Sequence, residues 1–244
     1  MVKYIKKIVS KLHKAVVEYN MLEAGDKIAV GLSGGKDSLM LLQALADYKT
    51  KQSYNFEIVA ISVDVFGNTD YAEIEKFCNK LKVPFCVVKS NIKEIVFDIR
   101  KEKNPCSLCA NLRRGMLNSK AKELGCNKVA LGHHADDFVQ TFFMSIAKEN
   151  RLSCFWPLSY LSRQNLFVIR PLLYVWENEI ISQSQFLPVI ESCCPANKTT
   201  ERENVKNIIN ELNQKMPNFK KNLLASICKT ERYNLFDKSK KIIK

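Results

Sequence analysis

A chain of 244 residues suits one large α/β domain, or one domain plus a small appendage, and its 46% apolar and 26% charged content excludes disorder, collagen-like repeats and low-complexity filaments. Lys and Arg number 38 against 25 Asp and Glu, a net +13 that points towards a polyanion. Nine cysteines are an odd number that cannot all pair within one chain, and 8 Gly with 7 Pro suggest a helix-rich, loop-poor protein.

The chain starts without an apolar stretch of signal-peptide length or a small-residue cleavage site. No run approaches the ~18 apolar residues that a spanning helix needs. The expectation is a soluble, cytoplasmic protein with no membrane contact, whose thiols stay reduced and form no disulfide scaffold. Apolar periodicity marks a basic amphipathic helix from about Tyr4 to Tyr19, with Ile5, Ile8, Leu12 and Val16 on one stripe. A strand at Lys27–Gly31 runs into the Gly-rich turn Leu32–Lys36, and a helix begins near Asp37 and Ser38. Strand Glu57–Val63, a helix from about Tyr71 to Leu81 and strand Pro84–Val88 follow. Helix 107–124 leads to strand Lys128–Gly132, and another helix starts near Asp136. The pattern then loosens until Leu166–Pro171, which reads as one more strand, and about 199–244 reads as polar helices. This alternation predicts a doubly wound, mostly parallel sheet with right-handed crossovers and helical extensions at both ends. The expected division is a basic helix over 1–22, a catalytic domain over 23–195 and a basic helical extension over 196–244.

Ser33-Gly-Gly-Lys-Asp-Ser38 lies between a strand and a helix, where backbone N–H groups and the positive helix end can cradle phosphate. Paired glycines are also common in ordinary turns, and the string fits neither a Walker A loop nor G-x-G-x-x-G. In its strand–turn–helix setting the whole string resembles the signature of PP-loop ATP pyrophosphatases, which cleave ATP between the α and β phosphates. That resemblance places Ser33, Gly34, Gly35 and Ser38 around pyrophosphate, with Lys36 neutralising its charge and Asp37 holding Mg²⁺.

Cys106-Ser-Leu-Cys109 opens a helix, and C-x-x-C has three readings: a redox pair, half a zinc site, or iron–sulfur ligands. Nothing else resembles thioredoxin. A Cys₄ zinc site would need both Cys193 and Cys194, and one metal rarely takes two adjacent side chains. Three ligands, Cys106, Cys109 and one of that pair, instead suit an iron–sulfur cluster with one open iron. Cys78, Cys86, Cys126, Cys154 and Cys228 sit among apolar neighbours and read as packing residues. Gly132-His-His-Ala-Asp-Asp137 follows a strand at its carboxyl end, where ligands bind in open α/β sheets. Its acids read as metal ligands, as a helix N-cap, or as both.

Together these residues resemble the tRNA 2-thiocytidine synthetase family of the PP-loop superfamily. The match runs through Ser33–Ser38, Pro105-Cys-Ser-Leu-Cys-Ala-Asn-Leu-Arg-Arg-Gly115, Leu131–Asp137, Ile169-Arg-Pro-Leu172 and the cysteine near 194. The resemblance implies ATP contacts from Leu32, Ser33, Gly34, Gly35, Lys36, Asp37, Ser38, Ser62, Gly132 and Asp137, with Lys36, Asp37 and Asp137 catalytic. It implies Mg²⁺ on Asp37 and a [4Fe-4S] cluster on Cys106, Cys109 and Cys194. The Cys-Pro step favours Cys194, with Cys193 a spare or a sulfur carrier. It further implies adenylation of the C2 oxygen of an anticodon-loop cytidine in tRNA, and its replacement by sulfur from a cysteine desulfurase or sulfide. A homodimer is implied as well.

Arg113 and Arg114 beside the cysteines are candidate tRNA contacts, as are Lys3, Lys6, Lys7, Lys11 and Lys14 on the first helix and Lys220, Lys221, Lys238, Lys240 and Lys241 in the tail. Trp156 and Tyr160 have rings that can stack on a base, with core packing the expected role. Two other readings compete: a lysidine synthetase-like adenylating enzyme without a cysteine cluster, and a non-catalytic zinc-stabilised RNA-binding module.

Overall fold

The computed structural model describes residues 2–100, 105–190 and 201–233. Six strands form one sheet: β1 (Lys27–Leu32), β2 (Glu57–Asp64), β3 (Phe85–Lys89), β4 (Lys128–Ala130), β5 (Leu158–Leu161) and β6 (Leu166–Ile169). Their spatial order is β3-β2-β1-β4-β6-β5, with all neighbours parallel except the edge pair β5 and β6. The chain thus builds outward from β1 in one direction and then returns to build in the other. That reversal leaves a crevice between β1 and β4 at their carboxyl ends.

Continuous apolar runs in β1 and β2 fit strands covered on both faces, and every β2 residue after Glu57 is buried. In chain order the helices up to Ser184 are α1 (Val2–Glu18), α2 (Lys36–Lys49), α3 (Ala72–Lys80), α4 (Pro105–Glu123), α5 (Ala135–Glu149) and α6 (Glu177–Ser184). On one face Leu117 and Ala121 of α4 pack on Ala29, Val59, Ile61 and Val129. α2 packs on β1, with α1 and α6 outside it. Of the predicted α1 stripe, Ile8, Leu12 and Val16 are buried and Ile5 is half-buried, with Ala15 buried beside them. A π-helical segment, Glu94–Ile99, precedes α4 and was not expected; neither was β5.

The chain divides into two compact units, Met1–Asp137 with Phe155–Thr200, and Phe138–Cys154 with Glu201–Lys244. In the second unit, α7 (Glu201–Lys215) packs on α8 (Phe219–Cys228). There Ser145 Oγ accepts from the Ser153 amide at 3.0 Å, and Arg202 donates to Thr141 Oγ1 at 3.3 Å. Among the described residues, no helix is long and apolar enough to cross a membrane.

Candidate nucleotide and sulfur site

The phosphate loop closes on itself before any ligand arrives. Ser38 Oγ donates to the Gly35 carbonyl at 2.9 Å and accepts from the Ser33 amide at 3.1 Å, while Ser33 Oγ accepts from the Gly35 amide at 3.3 Å. Gly34 has φ +81°, a left-handed conformation that strains other residues, and an added Cβ would lie 3.2 Å from Ile190 Cβ. Its carbonyl accepts from the Ile190 amide at 3.0 Å. Gly35 caps α2 without a side-chain hydrogen bond, so the first-turn N–H groups remain for an anion.

Gly132 brings β4 against that turn. A Cβ there would meet the Asp37 carbonyl carbon and oxygen at 2.9 Å and the Ser38 nitrogen at 3.0 Å. These are backbone atoms that no rotamer change can move.

Asp137 Oδ2 accepts from the His134 amide at 2.9 Å, and Asp136 Oδ2 accepts from the Glu177 amide at 2.8 Å. The capping and ligand readings of this segment therefore divide: Asp136 ties α5 to the start of α6, while Asp137 also faces the crevice. The His134 ring is buried among carboxylates, 3.7 Å from Asp37, 3.5 Å from Asp137 and 3.8 Å from Asp136. Those spacings are too long for direct hydrogen bonds. Burial pushes the Asp37 carboxyl above its usual range, and His134 and Lys36 only partly pull it back, with Asp137 adding to the rise. Its buried Oδ1 has no hydrogen-bond partner.

Lys36 Nζ stands 3.3 Å from Asp37 and 3.1 Å from Glu177 Oε1. Burial pulls the Lys36 pKa down, but the two carboxylates outweigh it and leave it raised, so the side chain is cationic at neutral pH. Glu177 carries no motif; what brings it to the loop is the Asp136 bond to its amide.

A cleft of about 320 Å³ opens over the crevice, within the range of small-molecule sites. Leu32, Ser33, Asp37, Ser38, Gly132 and Asp137 line it on the loop side, and Arg113, Arg114 and Leu117 on the α4 side. Gly34, Gly35 and Lys36 belong to the loop without lining this cleft. Ser62 is placed elsewhere: Ile61 and Val63 line the cleft, and strand alternation turns Ser62 to the opposite face. There its Oγ is fully buried without a hydrogen-bond partner.

Cys106 and Cys109 fall one turn apart on α4, and Ala110 and Arg113 carry the same helical side on towards the cleft. Cys106 is exposed and Cys109 half-buried against the α4 core. Cys193 and Cys194 lie outside the described residues, as do Lys238, Lys240 and Lys241 and the Lys3 side chain.

Several candidate RNA contacts are engaged within the fold. Lys7 and Lys11 both pair with Glu179 of α6, and Lys14 Nζ sits 4.2 Å from the Tyr174 ring centroid. Trp156, expected in a core, is 72% exposed, and Tyr160 is exposed with it.

A phosphate loop at the switch point of an open parallel sheet defines a nucleotide-binding α/β protein. The family model for the PP-loop domain matches residues 4–212. Curated relatives include the tRNA-cytidine(32) 2-sulfurtransferase of Citrifermentans bemidjiense, 34% identical over 95% of this chain and 93% of its own length. The enzyme of that name from Bordetella pertussis is 35% identical over 97% of this chain and 75% of its length. Among solved structures, the U34-tRNA thiolase NcsA from Methanococcus maripaludis with its [4Fe-4S] cluster superposes with a TM-score of 0.74, at 27% identity over 98% of this chain and 83% of that one. The chain belongs to the tRNA-cytidine(32) 2-sulfurtransferase family of PP-loop proteins.

Proposed function

We propose that this protein is an ATP-dependent tRNA thiolase that adenylates the C2 oxygen of an anticodon-loop cytidine and replaces it with sulfur, using a [4Fe-4S] cluster. One observation carries the reading: a single cleft has the phosphate loop on one wall and, on the other, the helix that opens with Cys106 and Cys109. Adenylation is needed because a C2 oxygen is a poor leaving group and AMP a good one.

The donor set fits the groups the reaction requires. The buried Asp37 Oδ1, which accepts no hydrogen bond, suits a hard divalent cation whose other ligands are phosphate oxygens and water. Cys106 and Cys109 suit a thiolate-ligated cluster, with Cys194 proposed as the third ligand. When bound, the cluster supplies a site that carries the incoming sulfur.

The chain's own residues do the rest. The first-turn amides of α2 and the Ser33 and Ser38 hydroxyls hold the leaving pyrophosphate, and Lys36 neutralises it after exchanging Glu177 for phosphate. Asp137 holds the crevice wall by capping His134, whose ring offsets the crowded carboxylates. Arg113 and Arg114 bring phosphate-binding charge to the cleft rim. The proposal also has the enzyme in the cytoplasm as a homodimer, fed by sulfide or a cysteine desulfurase, with the segment after 195 contacting tRNA through Lys220 and Lys221.

The experiment is anaerobic reconstitution with ATP, sulfide and bulk tRNA from a deletion strain, followed by nucleoside analysis. New 2-thiocytidine with the parent and none with Cys109→Ala is the expected result. A colourless protein holding stoichiometric zinc, or full activity in Cys109→Ala, would overturn it.

A further inference from the structure

Four residues at the carboxyl edge of the sheet form a cluster that the nucleotide chemistry leaves unused. Trp156 is 72% exposed, yet its backbone is fixed, because Arg170 Nη1 donates to the Trp156 carbonyl at 2.6 Å and the Arg170 amide donates to the Pro157 carbonyl at 2.9 Å. The Arg170 guanidinium lies 4.9 Å from the Phe155 ring centroid and donates from Nε to His133 Nδ1 at 3.2 Å. The His133 and Phe155 rings pack at 4.8 Å, and His133 itself lines the nucleotide cleft. An indole held in water on an immobilised backbone marks a surface kept for a partner.

We propose that Trp156 is the stacking platform for the extruded pyrimidine of the RNA substrate, with Phe155, Arg170 and His133 as its frame at the mouth of the ATP cleft. The inference rests on the thiolation reading and names the subsite that reading lacks. A base stacked in a loop cannot present C2 to a buried phosphate, so it must leave the stack, and a flipped base is held by stacking on an aromatic ring. Of the frame, His133 lines the cleft that the phosphate loop lines too, so a base held there faces its mouth, and Arg113 and Arg114 in the same lining suit the phosphates that arrive with it. His133 Nδ1 accepts from Arg170 Nε, which fixes the orientation of the imidazole between the arginine and the cleft. A protein partner fits less well, since one exposed indole beside a single arginine is far smaller than a stable interface.

The test compares the parent with Trp156→Ala and Trp156→Phe for thiolation of unmodified tRNA at saturating ATP, and measures tRNA and ATP binding separately. Losing one base–aromatic stack lowers kcat/KM for tRNA by about 5- to 150-fold. Dissociation constants for whole tRNA, which rest on phosphate contacts, and for ATP stay within about twofold. Trp156→Phe keeps most of the rate. Parental activity in Trp156→Ala would overturn the proposal and hand the indole to a protein partner. Loss of ATP binding in step with activity would overturn it too, making the residue structural. The chain has 2 tryptophans, so Trp176→Phe isolates the Trp156 emission. Quenching by oligocytidylate supports the site, and unchanged emission counts against it. If the parent thiolates no tRNA, the functional reading fails by itself, and the emission titration still decides the subsite.

Discussion

Gly132→Ala adds one carbon at the point where β4 touches the first turn of α2. That carbon would sit 2.9 Å from the Asp37 carbonyl and 3.0 Å from the Ser38 nitrogen, about 0.5 Å short of the 3.4 Å at which ordinary contact begins. Both neighbours are backbone, so either the loop or the strand end must move. Overpacking of this kind costs about 1–3 kcal/mol, which in a chain of this size lowers Tm by roughly 2–12 °C. The moved atoms belong to the phosphate loop itself, and a misplacement of about 1 Å in a catalytic constellation costs on the order of 100-fold in rate. A shift of half that size is expected to lower kcat/KM for ATP by about 10-fold or more. Pyrophosphate release in the presence of tRNA and thermal unfolding are the two assays. Gly115→Ala is the control: its Cβ meets nothing within 4 Å inside α4, so the helix gains about 1 kcal/mol and activity holds. If Gly132→Ala matched the parent in both assays, the close approach would not be what positions the loop.

Asp37→Asn is expected to abolish pyrophosphate release while raising Tm at neutral pH. Burial raises the folded pKa of this carboxyl above its usual 3.8, so the folded state binds the proton more tightly, and its contribution to stability is lost as pH rises from there through the folded value. A lower Tm for Asp37→Asn at pH 7 would contradict that sign. Glu177→Gln removes one of the two carboxylates that raise the Lys36 pKa, so the pair's stabilisation, intact at neutral pH, is lost as pH rises through the folded lysine value. Acylation of Lys36 followed by mass spectrometry should therefore set in at lower pH in the variant; an unchanged profile would break the link. Asp136→Ala deletes the acceptor for the Glu177 amide and should cost about 0.5–2 kcal/mol, as loss of a helix cap does, read as a drop in Tm with ATP binding weakened only secondarily.

What could be read from residue order alone was whatever local pattern specifies. β1, β2, β4 and β6 are apolar runs bounded by turn chemistry, and α1 shows its stripe, so their places and the parallel sheet were legible. The phosphate loop was legible because its string is rare and its setting between strand and helix is local. β5 was not, because four residues after Pro157 with half-exposed side chains carry no firm alternation. The π-helical segment at 94–99 has no sequence signature of its own. Glu177 reaches Lys36 across 141 positions through a bond made by Asp136, a tertiary fact without local trace. Ser62 shows the converse: the resemblance implied it as an ATP contact, whereas Ile61 and Val63 line the cleft and strand alternation turns Ser62 to the other face. Lys7 and Lys11 looked like surface charge because Glu179, their shared partner, lies far along the chain.

The sheet order also bears on how the protein comes to exist during synthesis. β1 emerges early, yet its second neighbour β4 follows a hundred residues later, when the Lys27 amide finally donates to Asn127 Oδ1. Pairing over such separation is slow, because loop closure must precede any reward from contacts. A nascent chain that has displayed its phosphate loop still lacks Gly132 and the facing wall, so ATP has nothing complete to bind. Nucleotide therefore cannot guide the early stages of folding. It can only stabilise the finished crevice, and until β4 arrives the β1 edge of the half-made sheet stands unpaired.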